Sequence, residues 1–494
     1  MKGEREALAR GLSDSALLGL GSALGAALGF VSLRLLLTGL SEEEYGRYCL
    51  FLVVGGVGTV LLHWPAHAML RLGAEDVEAR GRLGRAYGSI LALVVGSGLF
   101  AGAVAFAVRD AIASLVGAPV WHLALAFASL SALATLSYAV LQPAGKVGLR
   151  TLFPALARAV YAGLLALVVY GSGSLNLERA VWLCTASVVP AVVLPLVVVG
   201  GALDRPAFDR RFAARAFAFG WPLLLRNLGI SGVLYVDVLL VQVFLGPAAA
   251  GRYDVAYRVA EQVVVFGMVL EYLVGPVLAV AAARGDEGPL QRFYRFLAPP
   301  LAWGWSLCAA LLVVLAEPIL SLLGAKSAAA SAEVLRLLAL TVSLRGAMSM
   351  EVAVFDAHLI SRWPTAVFFA GFALNLVLDL ALLSAGWGLT GPALATVLGF
   401  ALQAICRALY LRRRLRVPAL APYASIVPVL LVFVVVWAGG ALWGLTAWIL
   451  LAASFPRLGR RLGLFPPEGR ALLEQVRMPA RLRRAVAALY AGDA

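Results

Sequence analysis

The chain predicts an all-α, polytopic integral membrane protein with about 14 transmembrane helices, and three observations carry that class. Hydrophobic residues fill 62% of its 494 positions and charged residues 14%, with a mean hydropathy of +0.90; soluble globules are normally nearer half apolar. The apolar residues fall into about 14 runs, most with the roughly 20 residues a helix needs to cross about 30 Å of hydrocarbon. Cations outside the runs crowd into the N-terminus and every second gap, 29 of them, against five in the other gaps: Arg47, Arg109, Arg179, Arg252 and Lys326. Cytoplasmic loops carry the excess Lys and Arg, so both termini read as cytoplasmic. The same topology accounts for the formal charge of +14 without a nucleic-acid partner.

The first run, near 16–37, follows Lys2, Arg5 and Arg10. It is too long for a signal-peptide core and lacks a small-residue cleavage site, so it reads as a retained helix. Its Gly21, Gly25 and Gly29 form a stripe suited to close helix packing or to bending during transport. The second run, 49–69, ends before Arg71, Arg80, Arg82 and Arg85; its His63 and His67 stand four apart but enclose Trp64 and Pro65 and precede no carboxylate, so no metal site is expected. Runs three to six, near 87–108, 121–141, 152–170 and 181–202, are separated by Arg109, then Lys146 and Arg150, then Arg179. Run seven, 217–245, is interrupted by Gly220, Pro222, Gly229 and Gly232; runs eight to twelve lie near 253–283, 297–315, 334–354, 365–383 and 389–409. The last two, 423–437 and 442–455, are short and broken at Ala438, Gly439 and Gly440. Fused into one helix they would place the eight tail arginines outside, so the charge rule favours two thin or tilted helices.

A motif repeats after the first and seventh runs. Leu40-Ser-Glu-Glu-Glu-Tyr-Gly-Arg-Tyr48 and Leu245-Gly-Pro-Ala-Ala-Ala-Gly-Arg-Tyr253 share Leu, Gly-Arg-Tyr and length at an offset of 205 residues. Six runs separate the copies, so both face outward and the halves share one orientation, as in transporters built from parallel repeats with the substrate site between them. The expected domains are two parallel six-helix bundles, 1–202 and 203–415, helices 13 and 14 at 416–456 as an appendage, and a basic cytoplasmic tail, 457–494. Leu472, Leu473, Val476, Leu482, Val486 and Leu489 among the tail arginines suit a helix lying on anionic membrane lipids or docking a partner. The gaps are too short for an extramembrane catalytic domain. The four cysteines, Cys49, Cys184, Cys308 and Cys406, lie in or beside apolar runs and read as small buried fillers.

Ionisable groups at bilayer depth are functional candidates by default. Arg34, Arg158, Arg226, Arg258, Arg336, Arg345 and Arg407 qualify by position; Arg158, Arg336 and Arg407 lie near helix ends, where a long side chain can snorkel to the headgroups. Arg226 sits about nine residues into run seven, roughly 14 Å deep, and Arg345 is similarly deep in run ten. The alternative is structural pairing with buried acids. Arg258 and Glu261 are three apart and suited to pairing along one helix, whereas Arg226 and Asp237, like Arg345 and Asp356, share a face at some 16 Å. Asp237, Glu261, Glu271, Glu351 and Asp379 are the acids a proton or sodium ion could use. No Walker motif, nucleophile elbow or Cys/His cluster is present, so neither an enzyme nor a cofactor is expected.

Residues 19–48, ending in the Leu40 to Tyr48 motif, resemble the opening of bacterial polysaccharide-biosynthesis flippases, the O-antigen type within the multidrug/oligosaccharidyl-lipid/polysaccharide exporter superfamily. Met69-Leu-Arg-Leu-Gly-Ala74 is similar to that family's second-helix exit. Phe219-Gly-Trp-Pro-Leu, Tyr235-Val-Asp237 and the stretch from Leu245 through Gly251-Arg-Tyr-Asp-Val-Ala-Tyr-Arg258 look like its helices seven and eight, and Gly386-Trp-Gly-Leu-Thr-Gly-Pro-Ala-Leu-Ala-Thr396 like its entry to helix twelve. The resemblance implies a V-shaped pair of bundles that turns over an undecaprenyl-pyrophosphate-linked oligosaccharide for cell-surface polysaccharide or lipopolysaccharide assembly in the bacterial inner membrane. Membrane lipids and a glycan polymerase or glycosyltransferases are the partners it implies. It implies a cationic cavity lined by helices one, seven and eight, which makes Arg34, Arg226 and Arg258 the expected pyrophosphate clamp, because guanidinium forks bind phosphate bidentately and stay charged when buried. Arg345 and His67 are secondary candidates; segment two offers no buried arginine. A multidrug cation antiporter of the same superfamily is the first rival, and it would want a cavity rich in carboxylates. A membrane-embedded glycan polymerase or ligase is the second, and it would want a long outer loop.

Overall fold

Twelve helical stretches among the described residues are long and apolar enough to cross a membrane, and they stand where runs one to six and nine to fourteen lie. The computed structural model describes residues 2–116, 121–358, 360, 362–461 and 463–465, all helix, turn or loop with no strand among them. The helices in chain order are α1 (Lys2–Gly39), α2 (Glu42–His63), α3 (Ala74–Arg80), α4 (Gly84–Ala107), α5 (Arg109–Val116), α6 (Trp121–Leu141), α7 (Leu152–Leu167), α8 (Leu177–Ala186) and α9 (Val189–Val199). They continue as α10 (Arg210–Leu245), α11 (Pro247–Ala283), α12 (Gly288–Arg292), α13 (Ala298–Leu322), α14 (Ala328–Ala357), α15 (Arg362–Ser384), α16 (Thr390–Arg414), α17 (Ile426–Gly439) and α18 (Ala441–Arg461). The long helices α10 and α11, 36 and 37 residues, occupy the places of runs seven and eight. The break expected between the last two runs falls at Gly440, whose φ of 84° is open to glycine without the steric penalty other residues meet. The amphipathic tail from Leu472 onward lies outside the described residues.

Two compact units result: unit 1 comprises Met1–Val255 with Leu322–Ser327, and unit 2 comprises Ala256–Ser321 with the described residues from Ala328 onward. In unit 1, α1 packs along α7, and α2 packs along α6 and α10. Glycines set the first of these contacts: a methyl on Gly21 would overlap Thr151, and one on Gly25 would sit 2.8 Å from the Arg158 guanidinium. Helix α2 starts at a capping box, in which the Ser41 hydroxyl accepts from the Glu44 N–H and the Glu44 carboxylate accepts from the Ser41 N–H, satisfying donors that a helix start leaves orphaned. Its α-helical geometry ends at His63. Pro65, which has no N–H to donate, sits in a 3₁₀ turn, Trp64–Ala66, followed by a π turn, Met69–Gly73. The helical run nevertheless continues through α3, past the end expected near residue 69.

The two copies of the repeated motif meet inside unit 1. A methyl on Gly46 would overlap the Pro247 carbonyl, and one on Gly251 would sit 3.1 Å from the Glu42 carbonyl. The 205-residue offset carries Gly46 onto Gly251 and Glu42 onto Pro247, so the crossing is reciprocal. Around it, Arg252 pairs with Glu42 at 3.2 Å, the Ser327 hydroxyl donates to Glu42, and the Lys326 ammonium donates to the Leu40 carbonyl at 2.9 Å.

The cation-rich ends of unit 1 are tied by acids. Asp76, buried, accepts from Arg85 Nε at 3.0 Å and from the Ala86 N–H at 3.3 Å. Asp204 accepts from the Gly84 N–H at 2.6 Å. Asp209 caps α10, accepting from the Arg211 and Phe212 N–H groups at 2.8 and 3.1 Å, with Arg85 at 3.5 Å. The Phe212 hydrogen bond, followed by those from Arg211 and Arg85, holds the Asp209 carboxyl below its ordinary range.

In unit 2, α15 packs on α16 and α14 on α16 and α17, while α17 and α18 pair as a hairpin. Its core joins Leu278, Leu290, Phe293, Met350, Phe355 and Leu411. Trp305 lies against Gly346, where any side chain would overlap the indole, and its Nε1 donates to the Val342 carbonyl at 2.8 Å.

The Gly46 crossing makes Gly46→Leu strongly destabilising, by about 3 kcal/mol or more, since overpacking a close contact forces backbone shifts. Thermal unfolding in detergent, against Gly163→Leu where a methyl would meet nothing within 4 Å, reads the difference. For Asp209, a folded pKa below the unfolded one contributes stability that is present above the unfolded value and is lost as pH falls through the folded value. The thermal midpoint gap between wild type and Asp209→Ala is therefore widest near neutral pH and closes below about pH 4, the ordinary aspartate range.

Candidate functional site

Charges at bilayer depth persist only with partners, and two such pairs stand among the described residues of unit 2. Arg345 on α14 forks onto Glu261 on α11: one guanidinium nitrogen meets Oε1 closely and Nη2 donates to Oε2 at 3.2 Å. Its cationic face also lies 5.2 Å from the centre of the Phe400 ring on α16, a cation–π geometry. Six residues further along α14, Glu351 is 1% exposed and Arg407 of α16 8% exposed, with Nε to Oε2 at 3.1 Å. Phe355 lies under the Arg407 guanidinium at 5.2 Å. The sequence reading let Arg407 snorkel; its helix face instead turns inward against α14, and the buried carboxylate there holds it. Arg336, also placed near a helix end, reaches Glu317 at 3.9 Å.

In unit 1, two buried acids on α10 and α11 have hydroxyl donors among their neighbours. Asp237 on α10 is 2% exposed and accepts from the Tyr253 hydroxyl at 2.6 Å. Asp254, next in sequence to Tyr253 on α11, is 4% exposed and accepts from the Tyr45 hydroxyl at 2.9 Å and the Cys49 thiol at 3.0 Å, both on α2. Cys49 and Asp254 are themselves 205 residues apart, so the repeat places them at equivalent positions on the two crossing helices. The expectation that all four cysteines are buried fillers is corrected here: Cys49 is a donor, Cys308 is exposed and Cys406 is half-buried, since both lie on outward helix faces.

At the α2 to α10 joint the Asn227 amide donates to His67 Nε2 at 3.0 Å, and the His63 and His67 rings stand edge to face with centroids 5.1 Å apart. His63 Nδ1 donates to the Thr59 carbonyl at 2.7 Å, which fixes its tautomer. Trp64, Phe217 and Trp221 stack beside them: Trp64 meets Phe217 edge to face at 5.3 Å, and Phe217 lies parallel to Trp221 at 6.4 Å.

Among the sequence candidates, the structure brings together Arg345 with Glu261, and it gives Asp237 and His67 the partners named above. Arg34 on α1 is exposed and makes no ion pair among the described residues; its carbonyl accepts from the Thr38 hydroxyl at 2.7 Å. Arg226 stands on α10 and Glu271 on α11, but their side chains lie outside the described residues. Arg258 is half-buried on α11. Glu261 points across to α14, so the i, i+3 spacing missed Arg345. Asp254 and Asn227 were also missed. Asp254 had a signal, its place one residue past the repeated Gly-Arg-Tyr; Asn227 had none beyond neighbouring Arg226.

A family model described as polysaccharide biosynthesis protein matches residues 36–323, more than half of the chain. The chain belongs to this polysaccharide biosynthesis protein family. Its fold is shared with the solved lipid II flippase MurJ in an inward closed conformation, at a TM-score of 0.69 and 13% identity over 90% of this chain and 99% of that one. It is shared too with an inward-facing multidrug resistance MATE family transporter of the MOP superfamily, at 0.64 and 16% over 81% and 94%. A third likeness is a MOP superfamily transporter from Pyrococcus furiosus, described as having a binding pocket of reverse polarity that suggests a different function, at 0.59 and 16% over 82% and 95%. A search of curated proteins returns no match. At these identities the likeness establishes the fold, that of multi-pass membrane transporters and flippases.

Because removing one member of a buried ion pair strands the other, Glu351→Gln and Arg407→Met each cost about 3–5 kcal/mol. The double variant costs clearly less than their sum. A double-mutant cycle on thermal or denaturant unfolding in detergent reads the coupling, and additivity of the two losses contradicts a functional pair.

Proposed function

We propose that this protein is a flippase of the bacterial cytoplasmic membrane, with both termini cytoplasmic, that carries an undecaprenyl-pyrophosphate-linked oligosaccharide across the bilayer by alternating access for cell-surface polysaccharide assembly. The observation that carries the reading is Arg34, exposed on a membrane-crossing helix with no ion pair among the described residues, whereas Glu261 and Glu351 are each held by an arginine. An arginine so placed favours an anionic ligand and disfavours a lipophilic cation. Family membership supports the saccharide pathway, and the shared flippase fold supports a lipid-linked cargo.

In this reading Arg34, Arg226 and Arg258, on α1, α10 and α11, bind the pyrophosphate through guanidinium forks. His67, just past the end of α2, and Asn227 on α10 add neutral donors and acceptors. Asp237, whose described neighbour is a hydroxyl, and Glu261 and Glu271 are the acids through which a proton or sodium gradient would bias the cycle. Glu261 would first have to leave Arg345. A glycan polymerase or glycosyltransferases would supply and consume the cargo.

Binding of undecaprenyl diphosphate to the purified protein, followed by native mass spectrometry with tetraphenylphosphonium as comparator, tests the reading. The expected result is saturable lipid binding that Arg34→Ala, Arg226→Ala and Arg258→Ala each weaken about tenfold, or about 1.4 kcal/mol. Preference for the cation, with lipid binding indifferent to all three substitutions, would instead identify a multidrug cation transporter.

A further inference from the structure

Unit 1 contains a cavity of about 730 Å³ walled by α2, α4, α5, α6 and α10, within the roughly 300–1,000 Å³ range of ligand sites. Its lining side chains are hydrocarbon or aromatic except for the Ser97 hydroxyl. Along α4 it reaches from Ala92 to Val108, a rise of roughly 24 Å, and α5 closes one end with Ile112. Small residues on α4 create the space: a methyl on Gly96 would meet nothing within 4 Å, and Ala92, Ala101 and Ala105 flank the same wall.

The other end of the slot is aromatic and then cationic. Trp64, Phe217 and Trp221 form that end of the wall. Two residues before Phe217, Arg215 meets Glu75. Arg71 shares the same carboxylate at 3.6 Å and lies 5.9 Å from the Phe219 ring. Two guanidinium groups on one carboxylate leave a net positive charge where the apolar slot begins. A long hydrocarbon chain joined to an anionic head is the chemistry that matches both ends, and the polyprenyl diphosphate of the proposed function carries both.

We infer that this slot holds the single polyprenyl chain of a lipid-linked substrate while the helices move its head group. The assignment rests on the flippase reading above, and it places the tail among the helices of unit 1 rather than leaving it in bulk lipid. Chain burial there keeps the substrate tethered as its polar part crosses, with the apolar surface contributing affinity in proportion to its area.

Gly96→Leu fills the slot with little strain, and Gly163→Leu, equally open and outside the cavity, is the matched control. Native mass spectrometry on the purified full chain would measure undecaprenyl diphosphate, isopentenyl diphosphate with the same head and a five-carbon tail, and phosphatidylglycerol. The slot predicts that Gly96→Leu weakens undecaprenyl diphosphate at least tenfold, leaves isopentenyl diphosphate and phosphatidylglycerol within twofold, and leaves the thermal midpoint intact, while Gly163→Leu behaves as wild type. If wild type binds undecaprenyl diphosphate and Gly96→Leu binds it equally, the slot assignment is overturned and the flippase reading stands. An equal loss of phosphatidylglycerol would make the slot a site for bilayer lipid and overturn the assignment. Failure of wild type to bind any diphosphate lipid would overturn the substrate reading and the slot with it.

Discussion

A charge inside hydrocarbon has no water to solvate it, and the described parts of this molecule are organised around that constraint. Four deep carboxylates among the described residues are held: Glu261 by a forked arginine, Glu351 by Arg407, Asp237 by Tyr253, Asp254 by Tyr45 and Cys49. The pairs join different helices, so they also decide which helices must stay in register. Removing one partner strands the other, which is why buried pairs specify structure more reliably than they add net stability. Against this background Arg34, exposed on α1 with no ion pair among the described residues, is one of the three arginines proposed to meet the pyrophosphate.

Close approach of backbones is the second organising device. With lipid on one side and protein on the other, apolar burial gives helices little reason to prefer one another, and small residues that admit close contact take over. The reciprocal contacts of Gly46 with Pro247 and Gly251 with Glu42 put the two copies of the repeated motif back to back. The ion pair of Arg252 with Glu42 and the Ser327 and Lys326 hydrogen bonds surround that crossing. A transport cycle that reshapes this end of unit 1 has to release charged contacts and a glycine crossing together, a combination suited to a two-state element.

The helical class, the crossing segments and the break before the last helix were legible because hydrophobic length and glycine chemistry are local properties. The site was legible only in part. Arg345 and Glu261 were both flagged, yet their pairing was not, because 84 residues separate them and helical spacing speaks only of neighbours on one helix. Arg407 was set aside for its nearness to a helix end, although which face turns inward depends on α14, and α14 supplies the acid. Asn227 and the slot behind Trp64 were invisible, since a cavity is the absence of side chains from several helices at once.

By itself the sequence determined that this chain lies in a membrane, where most of its crossing segments lie, and which residue types sit at costly depth, because transfer of side chains into hydrocarbon is nearly additive along a helix. The tertiary structure alone decided which of those charges neutralise one another, which glycines touch carbonyls, and where small residues on α4 leave a chain-sized void. These are properties of pairs and groups of helices, fixed by packing between segments far apart in the chain, and no single stretch of sequence contains them.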